Sequence, residues 1–127
     1  MLGTTLVIVN PAARSGKAAQ IAAQAASILE NIKASSPHGL EKYAFHYTVA
    51  PLDATRFISN EGAHYRTIIT IGGDGIVNEV INGLMAMPSQ HRPRLCVIPC
   101  GNGDDFARTL SLPRNPTKAL QLLSSHT

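Results

Sequence analysis

Residues 68–79 read Ile-Ile-Thr-Ile-Gly-Gly-Asp-Gly-Ile-Val-Asn-Glu, and this stretch decides the fold. Ile68, Ile69, Thr70 and Ile71 are all β-branched and predict a strand. Gly72, Gly73 and Gly75 predict a tight turn, because glycine tolerates φ > 0 and lets a ligand approach the backbone closely. Beyond the turn, Ile76, Val77, Val80, Ile81, Leu84 and Met85 recur at helical spacing. Strand, turn and helix in that order point the free N–H groups and the positive dipole end of the helix at one spot. A phosphate is the natural occupant. Asp74 puts a carboxylate in the same turn, which is unfavourable unless a metal ion or a proton-transfer role accompanies it. An Asp here can also cap the helix through its side chain, and the turn alone leaves both readings open.

Working outward, Thr4–Val9 is a continuous apolar run, as in a strand buried on both faces of a parallel sheet. Asn10-Pro11-Ala12-Ala13-Arg14-Ser15-Gly16-Lys17 follows it. This loop lacks Walker A spacing, but Arg14, Ser15 and Lys17 ahead of a helix suit a phosphate. A helix is predicted over Gly16–Lys33, with Ile21, Ala25, Ile28, Leu29 and Ile32 as its apolar stripe. Ser35-Ser36-Pro37-His38-Gly39 breaks it. Tyr43–Val49 alternates as a half-exposed or edge strand, with Thr48 near its C-terminal end. Pro51–Tyr65 is a second predicted helix, with Asp53 near its start and Phe57 and Ile58 facing inward.

After the central unit, Met87–Pro93 is a loop and Arg94–Pro99 a fourth strand. A second glycine loop, Cys100-Gly101-Asn102-Gly103-Asp104-Asp105, follows that strand. One of its two carboxylates is expected to cap the next helix. The other could share a metal ion with Asp74. Asn115-Pro116 predicts the start of a last helix. Alternating strands and helices give an α/β fold with a mostly parallel sheet and helices on both faces. The three loops all follow strands, so the sheet gathers them at one edge as a single cleft.

Composition narrows the function. The chain has 127 residues, 44% hydrophobic and 15% charged, which is a globular balance. A net charge of +3 fits an anionic ligand or an anionic membrane surface, and no Lys/Arg run exceeds one residue, so nucleic acid is not expected. Cys96 and Cys100 have no second pair to complete a zinc site, and are read as reduced and structural, as in a cytoplasmic protein. No stretch has the length of a membrane span or the form of a signal peptide. The five histidines share no metal-ligand spacing.

Val-Asn-Pro near the start, Gly-Gly-Asp-Gly-x-x-Asn-Glu-Val in the middle and Ile-Pro-x-Gly-x-Gly-x-Asp-Phe-Ala-Arg after the fourth strand together resemble the diacylglycerol kinase catalytic domain family. That family includes bacterial lipid kinases and the sphingosine and ceramide kinases. The resemblance spans essentially the whole chain. It implies the N-terminal nucleotide-binding domain of a fold shared with NAD kinases, with ATP and Mg²⁺ across the three loops. Asn10, Pro11, Ala12, Ala13 and Arg14 are the implied contacts of the first loop, and Thr48 stands beside the nucleotide. Gly73, Asp74, Gly75, Ile76, Val77, Asn78 and Glu79 are the implied phosphate loop, and Asn102 a further contact. Asp74 and Asp105 are implied to hold Mg²⁺ through water, with Asp74 catalytic. Three positions depart from the family pattern: Ile76 and Asn102 stand where Thr is usual, and Asp104 where Asn is usual.

The implied reaction moves the γ-phosphoryl group of ATP to a lipid hydroxyl, with diacylglycerol as acceptor and phosphatidic acid as product. Family enzymes continue into a β-rich lipid-binding domain. This chain is therefore expected to be a fragment, inactive alone, that meets its lipid through the missing domain and touches a membrane peripherally. Two rival readings share some of the same residues. One is an NAD kinase-like or phosphofructokinase-like enzyme with a soluble acceptor, and the other is a non-catalytic nucleotide-binding module.

Overall fold

A computed structural model describes residues 2–13, 16–35 and 39–100. Among the described residues, four strands and three α-helices alternate: β1 (Gly3–Val9), α1 (Lys17–Ser35), β2 (Leu40–Tyr47), α2 (Asp53–Glu61), β3 (Thr67–Gly72), α3 (Asp74–Met85) and β4 (Arg94–Pro99). Single 3₁₀ turns follow α2, at Gly62–His64, and precede β4, at Ser89–His91. The predicted last helix and the second glycine loop lie outside the described residues.

The strands form one parallel sheet in the order β2-β1-β3-β4. Val9 pairs with Tyr47 on one side and Ile71 on the other, so β1, β2 and β3 end level with one another. The chain builds outward from β1 in one direction, then returns to add β3 and β4 on its other side. Ligands of open α/β sheets bind at the C-terminal edge where the order reverses, which here is between β1 and β3.

The apolar runs of β1 and β3 are explained by burial on both faces. Val7, Val9, Ile69 and Ile71 point to α1 and pack with Ile21, Ala25 and Leu29. Leu6, Ile8 and Ile68 point the other way and pack with Ile58 of α2 and Val77 and Val80 of α3. Each fully buried aliphatic side chain of this kind contributes about 1.5–3 kcal/mol. The edge position of β2 explains its alternation: Tyr43 and Phe45 cover the α1 side, while His46 stacks on Phe57 of α2 with ring centroids 4.0 Å apart. The Tyr43 hydroxyl donates to the Glu30 carboxylate of α1.

β1, α1 and β3 differ from their predicted bounds by one or two residues, and three other elements differ in ways that packing explains. β2 starts at Leu40 because Leu40 is fully buried, and it ends at Tyr47, two residues before Val49. α2 is shorter than Pro51–Tyr65, because Gly62–His64 tightens into a 3₁₀ turn. α3 begins at Asp74 rather than Ile76, with Gly73 as its N-cap residue. At the far end of α3, Arg92 Nε donates to the Leu84 and Met87 carbonyls at 2.8 and 3.1 Å. These bonds add a second donor to the Leu84 carbonyl, which already accepts the Met87 N–H at 3.0 Å, and set a cation against the negative end of the helix.

The Thr70 hydroxyl on β3 is completely buried and has no hydrogen-bond partner among the described residues. Thr70→Val replaces it with a methyl group of the same shape. The variant is expected to gain about 1 kcal/mol of stability, read as a higher denaturation midpoint at unchanged m-value.

Candidate functional site

At the C-terminal edge of the sheet, three strand-following segments surround one cavity of about 390 Å³. Asn10, Pro11 and Ala12 come from the end of β1, Thr48, Val49, Ala50 and Pro51 from the end of β2, and Gly75, Ile76 and Glu79 from α3. A Cβ on Gly72 would lie 2.8 Å from Ile76 Cγ2 and 3.4 Å from Asn10 Cβ, so a side chain there would wedge the β1 and β3 segments apart.

Local hydrogen bonds shape each wall. The Asn10 N–H donates to Ile71 C=O at 3.0 Å, extending the β1–β3 ladder by one residue. The Asn10 carboxamide oxygen accepts the Ala12 N–H at 3.2 Å, an Asx turn that presents Pro11 and Ala12 to the cavity. The Thr48 N–H and hydroxyl both donate to Val9 C=O, at 2.8 and 3.3 Å. In α3 the Val77 N–H reaches back to Gly73 C=O at 3.5 Å. The amides of Gly75 and Ile76 precede that bond and have no acceptor within the helix, and both residues line the cavity. The helix thus offers N–H groups and a positive dipole end beside an otherwise mostly apolar wall.

The β2–α2 connection is held by two carboxylates. Asp53 Oδ2 accepts the Val49 N–H at 2.9 Å, and Asp53 Oδ1 lies 3.2 Å from His46 Nε2. Glu79 Oε1 accepts the Ala54 N–H at 3.2 Å, and Glu79 C=O accepts the Thr55 hydroxyl at 2.7 Å. α2 lacks a side-chain cap of its own, and its N-cap residue Leu52 sits in the left-handed region at φ 68°. That conformation costs a non-glycine residue roughly 1–2 kcal/mol, and it persists because the bonds on either side fix the chain.

The Val49 N–H, then His46 and Arg56, hold the Asp53 carboxyl below the ordinary aspartate value of 3.8, against an opposing push from burial. The folded state therefore binds the proton more weakly than the unfolded one. The stability this carboxylate contributes is complete above pH 3.8 and is lost as pH falls from there through the depressed folded value. Thermal melts across this acid range should show a shallower pH dependence in Asp53→Asn than in the wild type.

The sequence-predicted residues divide into three groups. Asn10, Pro11, Ala12, Thr48, Gly75, Ile76 and Glu79 line the cavity together. Ala13, Gly73, Asp74, Val77 and Asn78 are described but are not among its lining residues. Val77 is a core residue, 2% exposed, so only its backbone could serve a ligand. Ile76 is also mostly core, packed over Gly72, which leaves its backbone facing the site. Asp74 is the first residue of α3, immediately before the lining Gly75, and is half-buried. Arg14, Asn102 and Asp105, with Ser15 and Asp104, lie outside the described residues.

The sequence reading missed Val49, Ala50 and Pro51, and it missed what Asp53 and Glu79 hold. A signal for the wall was available, since the β2–α2 loop leaves the same sheet edge as the loops it named. No such signal marked the carboxylate partners. Among the described residues, no three His, Cys, Asp or Glu side chains group as a metal site. Burial pushes the Cys96 thiol up, which disfavours its thiolate form. No helix among the described residues is long and apolar enough to cross a membrane.

Residues 4–127 match the diacylglycerol kinase catalytic domain family. Over 71 residues the chain is 48% identical to a diacylglycerol kinase of Bacillus subtilis, covering 54% of this chain and 22% of that one. It is 44% identical to a YegS-like lipid kinase of Yersinia enterocolitica over 71 residues, 55% of this chain and 24% of that one. The crystal structure of a diacylglycerol kinase from Bacillus anthracis superposes with a TM-score of 0.80 at 31% identity, covering 98% of this chain and 40% of that one. The matched regions thus span less than half the length of each relative.

Proposed function

The chain belongs to the diacylglycerol kinase catalytic domain family, and from that premise we propose that it forms the ATP-binding half of a lipid kinase. The observation that carries the reading is the cavity at the sheet edge, where the β1 and β2 segments meet the amino end of α3. Its Ala12, Val49, Ala50 and Pro51 surfaces suit an apolar aromatic base. The α3 amides suit phosphate oxygens. The proposed acceptor is a lipid hydroxyl, that of diacylglycerol, and the proposed product is phosphatidic acid.

The chemistry such a site can supply is positioning and charge neutralisation. Gly75 and Ile76 N–H groups would fix the phosphates in line with the incoming hydroxyl. Asp74, one residue before them, would face the Mg²⁺ that accompanies ATP. A carboxylate here fits the ion, since Mg²⁺ dehydrates reluctantly and keeps several waters that a carboxylate can hold while phosphate oxygens fill other positions. Bound Mg²⁺ supplies compensation for the charge that develops on the phosphoryl oxygens. Asp74 and Asp105 are both proposed to hold the ion through water. Asn10, Pro11, Ala12, Ala13, Arg14, Thr48 and Asn102 are proposed contacts of the nucleotide.

Calorimetric titration of the 127-residue chain with MgATP, beside NAD and an Asp74→Ala control, tests this reading. Saturable MgATP binding that weakens in the variant supports it. Preference for NAD, or no MgATP binding, overturns it.

A further inference from the structure

The Val49–Pro51 wall of the cavity has no regular secondary structure of its own, yet it is tied at both ends. Thr48 anchors one end on Val9, and Asp53 grips the wall itself through the Val49 N–H at 2.9 Å. The other oxygen of Asp53 is 3.2 Å from His46, whose ring is stacked on Phe57. The Asp53 N–H also donates back to Ala50 C=O at 3.2 Å, closing a turn around Pro51. Glu79 reaches from α3 to the Ala54 N–H, so the first turn of α2 moves only with the helix that carries Gly75 and Ile76.

We propose that Asp53 is a positioning residue for the nucleotide: its carboxylate, shared between Val49 and His46, holds the cavity wall at its working distance from α3, with Glu79 as the tie between the two helices. The inference rests on the reading that this cavity receives MgATP. Asp53 is not among the residues lining the cavity, so it acts through Val49–Pro51 rather than by contact. The bond from Val49 is to a charged acceptor, the stronger class of hydrogen bond, and it restrains a backbone amide directly. Loss of that restraint lets the wall sample positions in which the nucleotide loses one side of its enclosure, and affinity falls by the fraction of time spent there.

The test measures MgATP affinity by calorimetry and amide hydrogen exchange at Val49 in the 127-residue chain. Asp53→Ala is expected to speed Val49 exchange and weaken MgATP binding by roughly tenfold. Asp53→Asn keeps an oxygen for the Val49 N–H and is expected to stay within about threefold of wild type. Thr67→Val is the control for general destabilisation. Its hydroxyl donates to Leu2 C=O at 2.7 Å, at the opposite edge of the sheet, so the variant should melt earlier and bind normally.

Wild-type affinity in Asp53→Ala overturns the proposal, as does unchanged Val49 exchange. An equal loss of affinity in Asp53→Asn and Asp53→Ala, or in Thr67→Val, also overturns it. Absence of MgATP binding by the wild-type chain instead removes the nucleotide reading on which the proposal stands.

Discussion

In the proposed lipid kinase, Asp74→Ala is expected to abolish MgATP-dependent phosphoryl transfer to a lipid hydroxyl, with kcat/KM down by roughly a thousandfold or more. The size follows from what the carboxylate is proposed to do. In-line phosphoryl transfer leaves little covalent work for the protein, and most of the barrier reduction comes from cations set where charge develops. Asp74 is the acidic residue in the first turn of α3, where Gly75 and Ile76 bring their amides to the cavity. In the proposed site, its loss would remove the charge that holds the Mg²⁺ shell on the phosphate side. Asp74→Asn should fail nearly as completely, because it preserves size and hydrogen bonding while removing the charge.

A purely structural role gives a different outcome. An acid in the first turn of a helix is worth about 0.3–1 kcal/mol through the dipole, so the variant would melt a few degrees lower and turn over normally. Assaying both variants for turnover and for melting temperature separates the two roles. Turnover at the wild-type rate in Asp74→Ala would remove the catalytic assignment.

The second large effect concerns packing. Gly83→Ala is expected to destabilise the fold by about 2–3 kcal/mol, although alanine is the better helix former. Gly83 lies in the last turn of α3, where glycine costs up to about 1 kcal/mol relative to alanine. A Cβ at this position would meet Ile58 Cβ at 2.7 Å, Ile58 Cγ2 at 2.9 Å and the Thr55 carbonyl oxygen at 3.0 Å. Two of these atoms belong to the backbone or the base of a β-branched side chain and cannot swing aside. α2 and α3 must separate to admit the methyl group, and their separation strains the Glu79–Ala54 bond as well.

Gly75→Ala is the contrast on the same helix. A Cβ there meets nothing within 4 Å, so the fold loses nothing and the chain gains up to about 1 kcal/mol of helix propensity. The new methyl group stands at a residue that lines the cavity, and MgATP affinity should fall even as the melting temperature rises. Denaturant midpoints and titrations of the two variants check both signs. Gly83→Ala at wild-type stability would show that α2 and α3 are less tightly packed than these distances require.

Local chemistry made much of this architecture readable in advance. β4 has the predicted bounds, and the β1 and β3 runs were legible because burial on both faces leaves no polar alternation to confuse the period. The apolar stripe of α1 was legible for the same reason in helical form. Boundaries were less so. Gly73 rather than an acidic side chain caps α3, and Leu52 precedes α2 in a conformation its side chain disfavours. Glycine is an ordinary N-cap residue, but the left-handed Leu52 does not follow from propensity; the hydrogen bonds around it hold it there.

By itself the sequence determined the α/β class, the strand–turn–helix unit at residues 68–79 and the family, because these depend on period, glycine placement and motif order along the chain. Only the tertiary structure decided that the β2–α2 loop completes the cavity. It alone showed that Glu79 serves the Ala54 amide 25 residues away, and that two glycines of one helix have opposite reasons to be glycine. The physical reason is common to all three. A hydrogen-bond partner or a steric neighbour is fixed by where other elements come to rest, and no residue carries that information in its own local pattern.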